Sequence, residues 1–176
     1  RLIEQFMILA NETVAKEFCV KGFPFVYRVH EKPKPEKVRN VCEFIKGLGV
    51  KIPEIPVEME PSFFQDILKQ IEGQPFEETV NKVVLRSMQK ARYLKDCLGH
   101  FGLALQYYCH FTSPIRRYPD LTIHRFIKES LHKKTITKTR KEELLDFAFE
   151  SAEQSSETEK NADRAERDVD DLWRAY

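Results

Sequence analysis

Apolar positions recur at helical spacing through most of the 176 residues. In residues 2–18, Ile3, Phe6, Met7, Ala10 and Val14 fall on one stripe, which predicts a first helix packed along that face. Gly22 and Pro24 interrupt it, and Phe25–Val29 reads as a short extended piece. Pro35 suits the first turn of a second helix, about 36–47, stopped by Gly47 and Gly49. The proline-spaced stretch from Ile52 to Pro61 is a loop, after which Pro61-Ser62 opens a third helix to about Glu72. A fourth, from Glu77 to about Tyr93, turns Val80, Val83, Val84 and Met88 inward. Residues 101–111, bounded by Gly99 and Thr112, read as a strand or hairpin arm. Pro114 then opens a helix to about His132. The last helix, about 138–176, carries Leu144, Ala148, Ala152, Ala162, Ala165, Val169, Leu172 and Trp173 on one side. The pattern is that of a predominantly α-helical piece with a few strands. It runs through both ends of the chain, which predicts a segment of a larger protein.

Composition narrows the class. Hydrophobic residues are 41% and charged residues 32%, as in ordinary globular domains and unlike disordered tails. No apolar run approaches the roughly 20 residues that cross a bilayer. The four cysteines (Cys19, Cys42, Cys97, Cys109) form no CxxC pair, so reduced thiols and a cytoplasmic setting are expected. Six glycines leave no room for a Gly-rich phosphate loop.

Charge is where the chain departs from the average. The formal net charge is only +1, yet residues 112–140 carry a net +6 and residues 141–171 a net −8. A basic block beside an acidic one can attract phosphates while the whole stays neutral. The same pattern is also compatible with two solvated helix faces of opposite sign.

Three clusters could carry chemistry. The run His110-Phe111-Thr112-Ser113-Pro114-Ile115-Arg116-Arg117-Tyr118-Pro119-Asp120 is followed by His124 and Arg125. Thr112 or Ser113 is expected to cap the helix that Pro114 begins, with Arg116 and Arg117 in its first turn. Amide donors and guanidinium forks would then act together on a phosphate. Asp120 and His124 are spaced i, i+4, so the carboxylate is expected to orient the imidazole. Glu4, with Asn11, lies at the edge of the first apolar stripe, and Glu166 borders the last. Asp168, Asp170 and Asp171 invite a metal reading, but side chains so spaced spread around a helix and cannot converge on one ion.

The blocks Ile3-Glu4-Gln5-Phe6-Met7-Ile8-Leu9-Ala10-Asn11, Tyr27-Arg28-Val29-His30-Glu31 and Gly99-His100-Phe101-Gly102-Leu103-Ala104-Leu105 resemble the ribonuclease II/ribonuclease R (RNB) exoribonuclease family. The same holds for the uninterrupted His110–Asp120 run and for Ala165-Glu166-Arg167-Asp168-Val169. They stand in family order over nearly the whole chain, and the Tyr-Arg-Val-His-Glu and Gly-His-Phe-Gly-Leu blocks look more like the bacterial ribonuclease R branch. Gln5 and Cys109 differ from commoner family choices beside the motifs.

The resemblance implies an α/β RNB catalytic fold in a parent protein. This chain would be its C-terminal half, without the cold-shock and S1 oligonucleotide-binding modules. The parent would be a Mg²⁺-dependent 3′→5′ hydrolytic exoribonuclease that acts on the 3′ end of single-stranded RNA and releases nucleoside 5′-monophosphates. Arg116 matches the phosphate-contacting arginine, the catalytic residue expected here. Glu4 and Glu166 match acids that meet the terminal nucleotide, while Arg117, Tyr118, Asp120, His124 and Arg125 are expected as supporting or scaffold residues, all but Asp120 on the RNA-binding side. Glu4, Arg116 and Glu166 should therefore share one cleft between the first, fifth and last helices. The aspartates that bind Mg²⁺ belong to the missing half, so the isolated chain is expected to bind no metal and to be inactive. The alternative is a helical RNA-binding or protein-interaction piece with no chemistry of its own.

Overall fold

The computed structural model describes residues 2–132 and 136–175, so Lys133 and Lys134 of the basic segment, together with Arg1, Thr135 and Tyr176, lie outside the described residues. The elements in chain order are α1 (Leu2–Val20), β1 (Tyr27–Val29), α2 (Pro35–Gly47), α3 (Pro61–Gln70), α4 (Glu77–Ser87), β2 (Arg92–Leu94), a 3₁₀ turn (Phe101–Leu103), α5 (Tyr118–His132) and α6 (Lys138–Ala175). They belong to two units. One comprises the chain up to Val29, Arg92–Leu98 and everything from Gln106; the other comprises His30–Ala91 and Gly99–Leu105.

In the first unit, β1 and β2 form an antiparallel ribbon that pairs Tyr27 with Leu94, Arg28 with Tyr93 and Val29 with Arg92. Around it the core gathers Ala15 and Phe18 of α1, Ile123 and Phe126 of α5, and Leu144, Ala148 and Ala152 of α6. Phe18 stacks on Phe25 with ring centroids 4.8 Å apart. The α5–α6 contact includes a buried hydroxyl pair, Thr122 with Ser151 at 3.1 Å. Ser156 Oγ accepts the Tyr93 N–H at 2.9 Å, joining α6 to β2.

Three expectations are corrected here. The buried residues of α1 are Asn11, Ala15 and Phe18, whereas Ile3 and Phe6 of the anticipated stripe are 74% and 62% exposed. Periodicity identified an apolar face, but the core of this unit reaches only the later turns of the helix. Second, the helix expected to reach Tyr93 stops at Ser87, whose hydroxyl donates to Val84 O at 2.6 Å, and Met88 turns extended. Tyr93 instead enters β2, because pairing with a distant strand outweighs local helical preference. Third, residues 101–111 are not a strand. Gly99 and Ala104 adopt positive φ (79° and 55°), and that stretch keeps only an isolated bridge between His100 and Leu105.

The second unit packs α2, α3 and α4 around Val38, Ile45, Phe63, Phe64, Ile67, Ile71 and Val80, with Phe101 joining from the 3₁₀ turn. Pro35 and Pro61 sit at the helix starts, as anticipated. Two of the sequence blocks meet here. His30 donates its N–H to Gly99 O (3.1 Å), and its carbonyl accepts the Phe101 N–H (2.8 Å). Its Nδ1 accepts the Gly102 N–H at 3.0 Å. A Cβ on Gly102 would lie 2.7 Å from His30 Nδ1, so only glycine lets this backbone approach the ring. Gly102→Ala is therefore expected to displace the imidazole and destabilise the unit by about 1–3 kcal/mol. Chemical denaturation of the two proteins checks it, and an unchanged midpoint would show that the ring yields without loss.

Candidate nucleic-acid interface

The His110–Asp120 run lies in the first unit, between the ribbon and α5. Its N-terminal half is anchored by α1: Asn11 Oδ1 accepts the Phe111 N–H at 3.0 Å, Asn11 Nδ2 donates to Tyr108 Oη at 3.3 Å, and the Cys109 thiol donates to Asn11 O at 3.2 Å. Burial of Asn11 is thus a consequence of its serving a loop about a hundred residues away. His110 Nδ1 lies 2.9 Å from Tyr93 Oη.

The second half turns differently from expectation. Helix α5 starts at Tyr118, with Pro119 in its first turn, and Pro114-Ile115-Arg116 forms a separate turn closed by the Arg116 and Arg117 N–H groups on Ser113 O (3.3 and 3.1 Å). Pro119, not Pro114, occupies the place where a missing N–H does no harm. Arg116 consequently stands before the helix rather than in its first turn. Neither Thr112 nor Ser113 caps it with a side chain; Thr112 Oγ1 is buried with no protein partner.

What fixes this turn is Asp120. It is fully buried, and its carboxylate accepts the Ser113 N–H at 2.7 Å and two Arg117 donors, Nε at 3.0 Å and an Nη at 2.8 Å. The expected Asp120–His124 pairing is absent because that carboxylate is already engaged. His124 bonds Phe111 O through Nε2 at 3.0 Å, which places a proton on Nε2, and its ring stacks on Phe111 at 4.4 Å. Arg117 and His124 therefore brace the turn. Ile115, Arg116, Tyr118 and Arg125 are exposed, and among the described residues no carboxylate lies within ion-pair distance of Arg116.

Glu4 lies in the exposed first turn of α1, and Glu166 lies in the stretch 161–175 of α6, which is exposed throughout. No hydrogen bond or ion pair among the described residues joins either to Arg116. The stripes whose edges they were to line are themselves uncovered at those turns. Pattern reading also missed a second brace. Arg28 forms a two-point ion pair with Glu159 (2.6 and 2.9 Å) and lies over the Tyr93 ring at 4.6 Å. Its sequence signals were a charged residue alternating between the apolar Tyr27 and Val29 and its place in the Tyr27–Glu31 block, neither of which names Glu159 as its partner.

Burial pushes the Tyr93 hydroxyl up to about 12, and burial likewise raises Tyr27 and Cys109 well above their ordinary ranges. Below pH ~10 Tyr93 is neutral in both folded and unfolded chains. Between ~10 and about 12 only the unfolded chain releases that proton, so stability falls as pH rises. Tyr93→Phe is expected to lose less stability than wild type between pH ~8 and pH ~11 in urea titrations. An equal loss in both proteins would remove Tyr93 from the account.

Residues 1–133 match the RNB domain family. The chain is 46% identical to ribonuclease R of Aquifex aeolicus over 175 residues, covering 99% of this chain and 24% of that relative. It thus spans about a quarter of the length of the curated relatives it matches. Among solved structures, it is similar to Mycoplasma genitalium RNase R in complex with ribose-methylated single-stranded RNA (TM-score 0.89, 32% identity, 97% of this chain and 27% of that one). The same enzyme in complex with double-stranded RNA gives a TM-score of 0.88 at 32% identity, over 96% of this chain and 30% of that one.

Proposed function

The chain belongs to the RNB domain family, and from that premise we propose that it is the C-terminal part of the catalytic domain of a cytoplasmic, ribonuclease R-like exoribonuclease. In this reading the whole enzyme hydrolyses single-stranded RNA from its 3′ end and releases nucleoside 5′-monophosphates with Mg²⁺. The supporting observation is the turn held by buried Asp120, which presents Arg116 to solvent without a carboxylate partner. A guanidinium fixed at its base and open at its tip can neutralise charge developing on a phosphate. Glu4 and Glu166 would meet the terminal ribose hydroxyls, since carboxylates facing a phosphate would repel it. Tyr118 and Arg125 would lie on the RNA side, with Arg117 and His124 holding the turn behind them.

Mg²⁺ demands several oxygens at near-octahedral positions. Asp168, Asp170 and Asp171 are exposed on α6, where Asp168 and Asp171 share a face and Asp170 lies off it, and among the described residues no group of three or more His, Cys, Asp or Glu side chains is placed to hold an ion. The chain's own residues do not fit the metal. Its carboxylates would come from the rest of the enzyme, and these 176 residues alone would bind RNA without cleaving it.

The test is product analysis with the full-length enzyme on uniformly labelled RNA, with Mg²⁺ and with chelator. Stepwise release of 5′-mononucleotides with Mg²⁺ is expected. Internal cleavage, 3′-phosphate products or activity in chelator would overturn the reading, and cleavage by residues 1–176 alone would overturn the assignment of the metal site.

A further inference from the structure

The residues of α1 that the core covers are Asn11, Ala15 and Phe18, spaced four and three apart. Continued toward the start of the helix, the same spacing passes through half-buried Ile8 and ends at exposed Glu4. Glu4 thus lies on the same face of α1 as Asn11, about 10.5 Å further along the axis. It is the last member of the buried stripe, carried past the edge of the core.

An asparagine in mid-helix is unfavourable to bury unless its amide finds partners. The partners of Asn11 all lie in the segment that leads into the Arg116 turn. A backbone N–H can only donate, so the atom facing the Phe111 N–H is Oδ1, which leaves Nδ2 for Tyr108 Oη. The Asn11 carbonyl takes the Cys109 thiol. Two residues beyond Phe111, Asp120 holds the Ser113 N–H, and the Arg116 N–H closes its turn on Ser113 O. A rigid helix and a short segment pinned at both ends therefore connect Glu4 to Arg116, with Asn11 at the joint. Apolar contacts at Ala15 and Phe18 are non-directional and permit small slides of the helix. The amide bonds are directional and fix its register against the segment.

We propose that Asn11 is a positioning residue that sets the spacing between the Glu4 carboxylate and the Arg116 guanidinium on one terminal nucleotide; the proposal rests on the exoribonuclease reading above. Glu4 and Arg116 share no bond among the described residues, so their separation depends on what ties α1 to the segment. A misplacement of about 1 Å at a reacting centre can lower a rate up to 10²-fold.

The experiment measures kcat and KM of the full-length enzyme on single-stranded RNA, at a temperature where circular dichroism shows each variant folded. Asn11→Ala should lower kcat about tenfold or more and leave KM within about twofold. Tyr108→Phe keeps the ring and Asn11 but removes the hydroxyl that Nδ2 meets, and should lower kcat by a smaller factor. Glu4→Gln and Arg116→Lys then report on spacing. In the wild-type background their joint effect on kcat should depart from the product of the single effects by about threefold or more, and in Asn11→Ala it should return to that product. A lower melting temperature with kcat and coupling unchanged would make Asn11 a stabilising contact only and overturn the proposal. A raised KM alone, or no coupling in wild type, overturns it too. If Asn11→Ala does not fold, Tyr108→Phe decides by the same two readouts. A wild-type enzyme that releases no mononucleotides from the 3′ end overturns the exoribonuclease reading itself.

Discussion

Asp120→Ala is expected to destabilise the chain by about 3–5 kcal/mol, a large part of the roughly 5–15 kcal/mol that holds a domain folded. The carboxylate is fully buried, and its removal leaves three donors without an acceptor: the Ser113 N–H and two nitrogens of Arg117, whose side chain is only 20% exposed. The loss would come mainly from the stranded guanidinium, since an unpaired charge in a dry site costs more than the pair contributed. Two companion variants separate the causes. Asp120→Asn keeps one carbonyl acceptor and should cost less, and Arg117→Ala should also destabilise, because it strands the carboxylate. Urea unfolding of all three decides the matter. A cost below about 1 kcal/mol for Asp120→Ala would mean that water reaches the site and that the buried brace does not set the turn.

The second large effect concerns Arg116 in the full-length enzyme. Arg116→Ala should leave stability within about 0.5 kcal/mol of wild type, since the side chain is exposed and no carboxylate of the described residues pairs with it. Turnover should nevertheless fall about 10²–10³-fold, the usual consequence of losing one donor aimed at developing charge. An interaction made only in the transition state lowers kcat and leaves KM nearly unchanged. Arg116→Lys should restore part of the rate, because it keeps a charge without the two-pronged fork. Steady-state kinetics on single-stranded RNA makes the distinction. A raised KM with kcat intact would make Arg116 a guide for the strand. The contrast with Arg117 is sharp: adjacent arginines, one expected to fail in folding and the other in rate.

Most helices were legible in the sequence because the signals for them are local. Pro35 and Pro61 announce their own helix starts, and the 38-residue α6 follows from an apolar period that continues without a breaker. The motif run at His110–Asp120 was legible too, and Arg116 stood out in it as the candidate for phosphate contact. Relations between distant segments were not legible. The β1–β2 ribbon joins residues more than sixty positions apart, and it drew Tyr93 out of a segment that reads as helix. Arg28 finds Glu159 across 131 residues, and Asn11 finds Phe111 across 100.

The sequence by itself determined the helical character of the chain, the position of its motifs and the residue types available at its candidate site. Each of these depends on neighbours within a turn or two, where backbone geometry fixes which side chains share a face. Only the tertiary structure decided how those residues are used. It showed that α1 buries Asn11, Ala15 and Phe18 rather than its first apolar turns, that Glu4 and Glu166 stand exposed, and that Asp120 serves Ser113 and Arg117 instead of His124. A carboxylate goes where burial leaves donors without water, and burial is set by whichever distant segments pack there.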